Sequence, residues 1–214
     1  MLYHFSEEPD IQMFIPRKLD YRSEEPAQVW AIDEFHAPHY YFPRNCPRVC
    51  IWPDERTTEE DKHRFFGQAA VQRVIAVEAG WLDGMRETNL YRYTFNESDF
   101  EIYDLNAGYY TSLQAVKPVS VEPVGDLLSA ICSTGIELRL TPSLMPLREA
   151  ILQSTVNFSM IRMKYAKERR AYEAPTNLGR NQQQRHRRTN PYHARFPSRK
   201  VKSLHHYYSL FQKT

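Results

Sequence analysis

Short apolar runs of four to seven residues, separated by polar and proline-bearing stretches, set the rhythm of this chain. Strand-like runs lie at 2–5, 28–32, 48–52, 90–95, 100–103, 109–113, 118–121 and 136–140, with 90–95 alternating as a half-buried strand does. The run 71–77 is apolar on both faces and reads as a central strand. Helical patterning is sparser. Thr57 followed by Glu60 forms a capping box with acids in the first turn and Lys62, His63 and Arg64 after it. The segment 126–133 lies between Gly125 and Gly135, and Ser143 can cap 144–154 with Pro146 tolerated in the first turn. Residues 159–172 read as a basic helical exit. No internal repeat is visible. The predicted fold class is α+β, a single domain around a twisted or split, mainly antiparallel sheet with a few short helices.

Charge divides the chain where hydropathy also changes. Residues 162–214 hold 14 Lys/Arg against Glu168 and Glu173, whereas residues 1–161 hold 14 basic and 24 acidic side chains. The predicted organisation is a globular domain over 1–172 and a basic C-terminal extension over 173–214, disordered or loosely docked, because 175–202 carries too few core-forming residues to offset the entropy of ordering. In that extension Arg185, Arg187, Arg188, Arg195, Arg199, Lys200 and Lys202, interleaved with Tyr192 and Phe196, suit salt-dependent contact with nucleic-acid phosphates. A non-catalytic nucleic-acid-binding or protein-interaction module is therefore one functional reading. No run approaches the ~18 apolar residues of a membrane-spanning helix. The N-terminus lacks the basic and apolar regions of a secretory signal. Three cysteines do not make a disulfide framework, and a cytoplasmic protein is expected.

Several chemistries are disfavoured by spacing. His36, His39, Cys46 and Cys50 resemble a metal-ligand series, but on an extended segment the two thiols would lie roughly 13 Å apart. Sulfurs on one zinc approach to about 4 Å, so no metal is predicted. The same separation argues against a Cys46–Cys50 disulfide. The reading instead has Cys50 buried, His36 and His39 partly exposed, and Cys132 in the core. No Gly-x-Ser-x-Gly elbow, phosphate-binding glycine loop or paired Gly-x-Gly follows a strand.

Cleavage of a nicotinamide–ribose bond needs neither a metal nor a glycine loop. A strand-borne His can hold ribose hydroxyls, a Tyr can stack on nicotinamide, and an acidic or polar group can support the oxocarbenium-like sugar. Leu2-Tyr3-His4-Phe5 resembles the first motif of the ADP-ribosyltransferase-like fold. Val29-Trp30-Ala31-Ile32-Asp33, with Ala37 and Tyr40-Tyr41 beyond it, resembles that fold's second strand and the short helix carrying the stacking Tyr. The third residue there is usually Glu, where this chain offers Gln114 after Tyr109-Tyr110-Thr111-Ser112. The resemblance implies NAD as substrate, and for such a cleft the catalytic candidates are His4, Tyr40 and Tyr41, with Glu78 or Gln114 near the anomeric carbon. Cofactor-binding candidates are His4, Arg44, Trp81, Tyr109, Tyr110 and Ser112.

A second resemblance covers more of the chain. The motifs LYHFSEEP, VWAIDExxAPxYxFPRxCPRV and Glu78-x2-Trp81-Leu82 are similar to an uncharacterised bacterial family of unknown function. Residues 108–128, 138–144 and 158–162 are also similar to it, through about residue 166. Each candidate also has a structural reading. His4 could bond a backbone carbonyl in the core, Arg44 could pair with Asp33 or Glu34, and Glu78 could cap or pair with Arg73. Trp81, Tyr109 and Tyr110 could be core, and one of Tyr40 and Tyr41 must be packing.

Overall fold

The structure, a computed structural model, describes residues 1–19, 24–67, 69 and 71–167. Ten strands form two sheets: β1 (Leu2–Ser6), β2 (Val29–Ile32), β3 (Arg48–Trp52), β4 (Arg73–Glu78), β5 (Tyr91–Phe95), β6 (Glu101–Asp104), β7 (Tyr109–Ser112), β8 (Ser120–Pro123), β9 (Ile136–Thr141) and β10 (Asn157–Ile161). The larger sheet runs β6-β7-β2-β1-β5-β8 with every neighbour antiparallel. The smaller runs β10-β3-β4-β9, with only β4 and β9 parallel. Four short helices join them: α1 (Glu59–Phe66), α2 (Leu82–Glu87), α3 (Leu127–Ser133) and α4 (Met145–Ile151). This is the expected α+β class, with the sheet split in two.

Alternation decides which face each strand gives to which core. Trp30, Ile32 and Tyr109 from the larger sheet meet Cys50, Trp52, Ile75, Val77 and Ile161 from the smaller one, and this layer holds the two sheets together. The alternate residues, Val49, Ile51, Val74, Ala76 and Met160, face the other way onto Phe65, Phe66, Leu144 and Ile151. β3 is thus buried on both sides, which is why Arg-Val-Cys-Ile-Trp has apolar residues at successive positions. On the outer face of the larger sheet, Leu2, Val29, Ala31, Tyr93 and Phe95 pack under Phe14 and Val116. Phe14 and Val116 exchange backbone hydrogen bonds of 2.8 and 2.9 Å, and Arg17 does the same with Gln28, so 11–19 runs as a strap across β1 and β2.

Several local expectations are corrected. The cap of α1 is Thr58, whose side chain accepts from the Asp61 amide, because the Thr57 hydroxyl is taken by the turn at Asp54. α4 begins after Leu144, which offers no side-chain cap, and is shorter than 144–154; Ser143 Oγ accepts from its first amide, that of Met145. The 159–172 helix is absent over its described part. Asn157–Ile161 instead pairs with the free edge of β3, and a 3-10 turn at Met163–Tyr165 follows. α2 was not expected, since Gly84 interrupts its pattern. Cys132 is exposed rather than core, while Cys46 and Cys50 are buried free thiols. His36 and His39 are buried rather than partly exposed. α3 is capped by Asp126, whose carboxylate accepts from the Ser129 amide at 2.7 Å. Asp126→Ala is expected to cost about 1 kcal/mol in chemical denaturation.

Candidate functional site

A cavity of about 370 Å³ opens between β1, β2, the strap and the ends of β3 and β10. His4, Ser6, Phe14, Trp30, Tyr40 and Phe42 form much of its wall, and Arg17, Arg44, Arg48 and Arg162 converge on it against only Glu7 and Glu8. Arg17 and Arg44 are exposed, Arg48 and Arg162 buried, so positive charge runs from the open surface inward.

His4 sits on β1 at the Tyr93 register, and its Nδ1 lies 3.0 Å from the Trp30 carbonyl oxygen. A carbonyl can only accept, so Nδ1 carries the proton and Nε2 is an acceptor. Burial lowers the imidazole pKa to about 4, against the opposing hydrogen bond to Trp30 and with help from the positive charge of Arg17 and Arg44. The ring is neutral at physiological pH. Because the unfolded chain would bind a proton at His4 near pH 6.5 and the folded chain would not, stability is intact above that value and falls as pH drops toward 4. The integrated loss is about 3 kcal/mol. Urea denaturation across that range should show the slope, and His4→Gln should flatten it in part. His39, also held well below the ordinary value by burial, contributes in the same direction.

Arg48 is the most unusual group on the wall. It begins β3 and is 3% exposed. Its Nε donates to the His39 carbonyl at 2.5 Å and its Nη1 to the Cys46 carbonyl at 2.9 Å, while the guanidinium lies over the rings of Tyr40 and Phe42. Every one of these partners is neutral. Arg162 follows β10 directly, with φ 57°, the one positive φ outside glycine among the described residues. Burial, followed by the like charge of Arg48, brings its pKa down to about 10. Cys46 and Cys50 are no nucleophiles, since burial pushes both thiols up to about 12.

Of the residues nominated from sequence, His4, Tyr40 and Arg44 line this cavity. Tyr40 contributes its ring, while its hydroxyl lies 2.9 Å from that of Tyr109, deep in the layer between the sheets. Burial first, then Tyr109, raises the Tyr40 pKa well above the usual phenol value. The structure does not bring Tyr41, Glu78, Trp81, Tyr109, Tyr110, Ser112 or Gln114 to the cavity wall. Tyr41 is half-buried against Phe5, with ring centroids 5.1 Å apart. Trp81 packs against the layer between the sheets, and Tyr110 joins the outer core. Ser112 is buried and its Oγ accepts from the amide of exposed Gln114. Glu78 is wholly buried and accepts only backbone amides, not Arg73, which donates to the carbonyls of Phe35 and Thr134. The Asp33 carboxylate is held by the His36 amide and ring, 2.8 Å each, rather than by Arg44. Arg48, Arg162 and Arg17 were not nominated. For Arg48 the signal was available, as a charge heading a strand apolar on both faces.

No group of three or more metal-ligating side chains occurs among the described residues. No helix among them is long and apolar enough to cross a membrane. The basic positions Arg185, Arg187, Arg188, Arg195, Arg199, Lys200 and Lys202 lie outside the described residues.

Fold and site together define a two-sheet α+β protein with an arginine-lined cavity beside a buried histidine. The chain belongs to a family of unknown function, DUF6886, whose model matches residues 3–166. No curated protein and no solved structure matches it.

Proposed function

We propose that this protein binds a small hydroxyl-bearing phosphate ligand of the nucleotide class in the cavity between β1, β2 and the strap. The observation that carries this reading is Arg48, a buried guanidinium on the cavity wall whose hydrogen-bond and ring partners are all neutral. Burying an uncompensated charge is costly, and an anion at the guanidinium face offsets that cost. Planar guanidinium forks suit phosphate oxygens, and Arg44 and Arg162 add two more. Neutral His4 supplies the complementary feature, an acceptor at Nε2 for a ligand hydroxyl such as one of ribose. Phe14, Trp30 and Tyr40 offer apolar surface for a base.

NAD is the ligand that the His4 and Tyr40 motifs suggest, and the resemblance extends the reading to ADP-ribosyl transfer or NAD glycohydrolysis. The carboxylates on the wall are those of Glu7 and Glu8, with Glu7 Oε1 accepting from the Arg44 amide at 2.8 Å. Binding is therefore the core of the proposal, and turnover its extension. The test is calorimetric titration of the full chain with NAD+ and ADP-ribose, alongside an assay for nicotinamide release. Saturable binding weakened by His4→Ala supports the reading, and nicotinamide release would add catalysis. Absence of binding to both ligands refutes it.

A further inference from the structure

The pairing of β3 with both neighbours puts three buried charged residues, Arg48, Arg162 and Glu78, at one end of the smaller sheet. Arg48 stands opposite Ile161 on one side and Val77 on the other. Arg162 and Glu78 therefore each come one residue beyond that row, flanking Pro47. Glu78 is completely buried at the end of β4. Its Oε1 accepts from the Lys167 amide at 2.9 Å and from the Leu144 amide at 3.3 Å, and its Oε2 from the Lys167 amide at 3.2 Å. A buried carboxylate bound by backbone amides alone holds them firmly, because the charge strengthens each bond and has no other compensation.

The Lys167 amide ends the turn that carries Arg162, while the Leu144 amide leads into α4. From Arg162 the chain closes on itself through Tyr165 N–H to Arg162 O, 2.9 Å, and Ala166 N–H to Met163 O, 3.0 Å, and then reaches Lys167. The left-handed backbone at Arg162 is unfavourable for a side-chain-bearing residue and persists only where the surroundings impose it. The bonds to Glu78 lie at the far end of this six-residue turn.

We infer that Glu78 is a positioning residue: its buried carboxylate latches the turn 162–167 and so keeps the Arg162 guanidinium on the wall of the ligand cavity. The role in ligand affinity rests on the binding reading above, while the latch itself does not. It also gives Glu78 a part in the site without contact with ligand.

Two variants break the latch from opposite sides. Glu78→Gln keeps the side-chain shape but removes the charge and one acceptor. Lys167→Pro removes the donating amide and leaves Glu78 charged, and Ala166, at φ −67° and ψ 144°, already has the backbone a residue before proline adopts. The first readout needs no ligand: the rate at which a dicarbonyl reagent modifies Arg162, followed by peptide mass spectrometry. The expected result is a several-fold faster modification of Arg162 in both variants, with exposed Arg44 unchanged. Unchanged protection of Arg162 in a folded variant overturns the inference.

The second readout is ADP-ribose affinity. Arg162→Gly keeps the left-handed turn without strain and should weaken binding roughly tenfold, the worth of one charge-assisted hydrogen bond. Glu78→Gln should weaken it comparably alone and add nothing in the Arg162→Gly background. Equal losses in both backgrounds would overturn a role through Arg162. If wild type binds no ADP-ribose, the binding reading fails, and the modification rate still decides the latch.

Discussion

Arg48→Met is expected to lower affinity for ADP-ribose by roughly 10- to 100-fold, since hydrogen bonds to a charged group are worth about 1.5–3 kcal/mol. Methionine fills much of the same volume against Tyr40 and Phe42, so the wall should keep its shape. Two opposing terms act on the free protein. The carbonyls of His39 and Cys46 lose their donors, at about 1–3 kcal/mol each where no water replaces them. Against this, a charge with only neutral contacts no longer has to be desolvated. Net stability should therefore move much less than affinity. Arg48→Lys should recover little, because an ammonium cannot serve two carbonyls and a phosphate in one plane. Calorimetry and urea denaturation on the same preparations separate the terms. An affinity unchanged by Arg48→Met would remove the main support for an anion in the cavity.

Gly108→Ala is expected to be the most damaging single methyl in the described structure. Gly108 has φ 70°, and an added Cβ would lie 2.2 Å from His36 Nδ1 and 2.6 Å from an Asp33 carboxylate oxygen. The methyl would push apart the Asp33–His36 pair, which sits where β2 gives way to the short turn carrying Tyr40. Left-handed backbone costs about 1–2 kcal/mol and overpacking about 1–3 more. Together these give about 2–5 kcal/mol, or roughly 5–20 °C in Tm for a domain of this size. Gly125→Ala is the control, since its φ is also positive, at 81°, but the new Cβ meets nothing within 4 Å. It should show only the backbone part. Equal losses for the two variants in thermal denaturation would contradict the steric account.

Most strands were legible as short apolar and aromatic runs between polar stretches; β1 alternates cleanly between buried and half-buried residues, whereas β2, β3 and β7 are buried throughout. The run 71–77, apolar on both faces, marked β4 as a strand in the middle of a sheet. β10 was hidden because Asn157 and Ser159 dilute its alternation and the basic run from Arg162 onward invited a continuous helix. Only the free edge of β3, a tertiary fact, reveals it. The same reason governs the site. His4 was readable as a polar residue on a starting strand, and its bond to Trp30 and its place on the cavity wall are compatible rather than competing. Arg48 and Arg162 are 114 positions apart, and only the pairing of β3 with β10 joins them. Trp81, Tyr109 and Tyr110 were readable both as ligand contacts and as core; Tyr109 and Tyr110 are buried in the cores, and Trp81 packs against one of them. Glu78 was recognised as notable, yet its partners are backbone amides that no side-chain pattern encodes.

The most direct test of the central claim is a calorimetric comparison of ADP-ribose with adenosine on the full chain, in wild type and Arg48→Met. The account predicts saturable binding of ADP-ribose to wild type, much weaker binding of adenosine, and loss of that preference in the variant. Equal binding of the two ligands to wild type, or no binding of ADP-ribose, would contradict it.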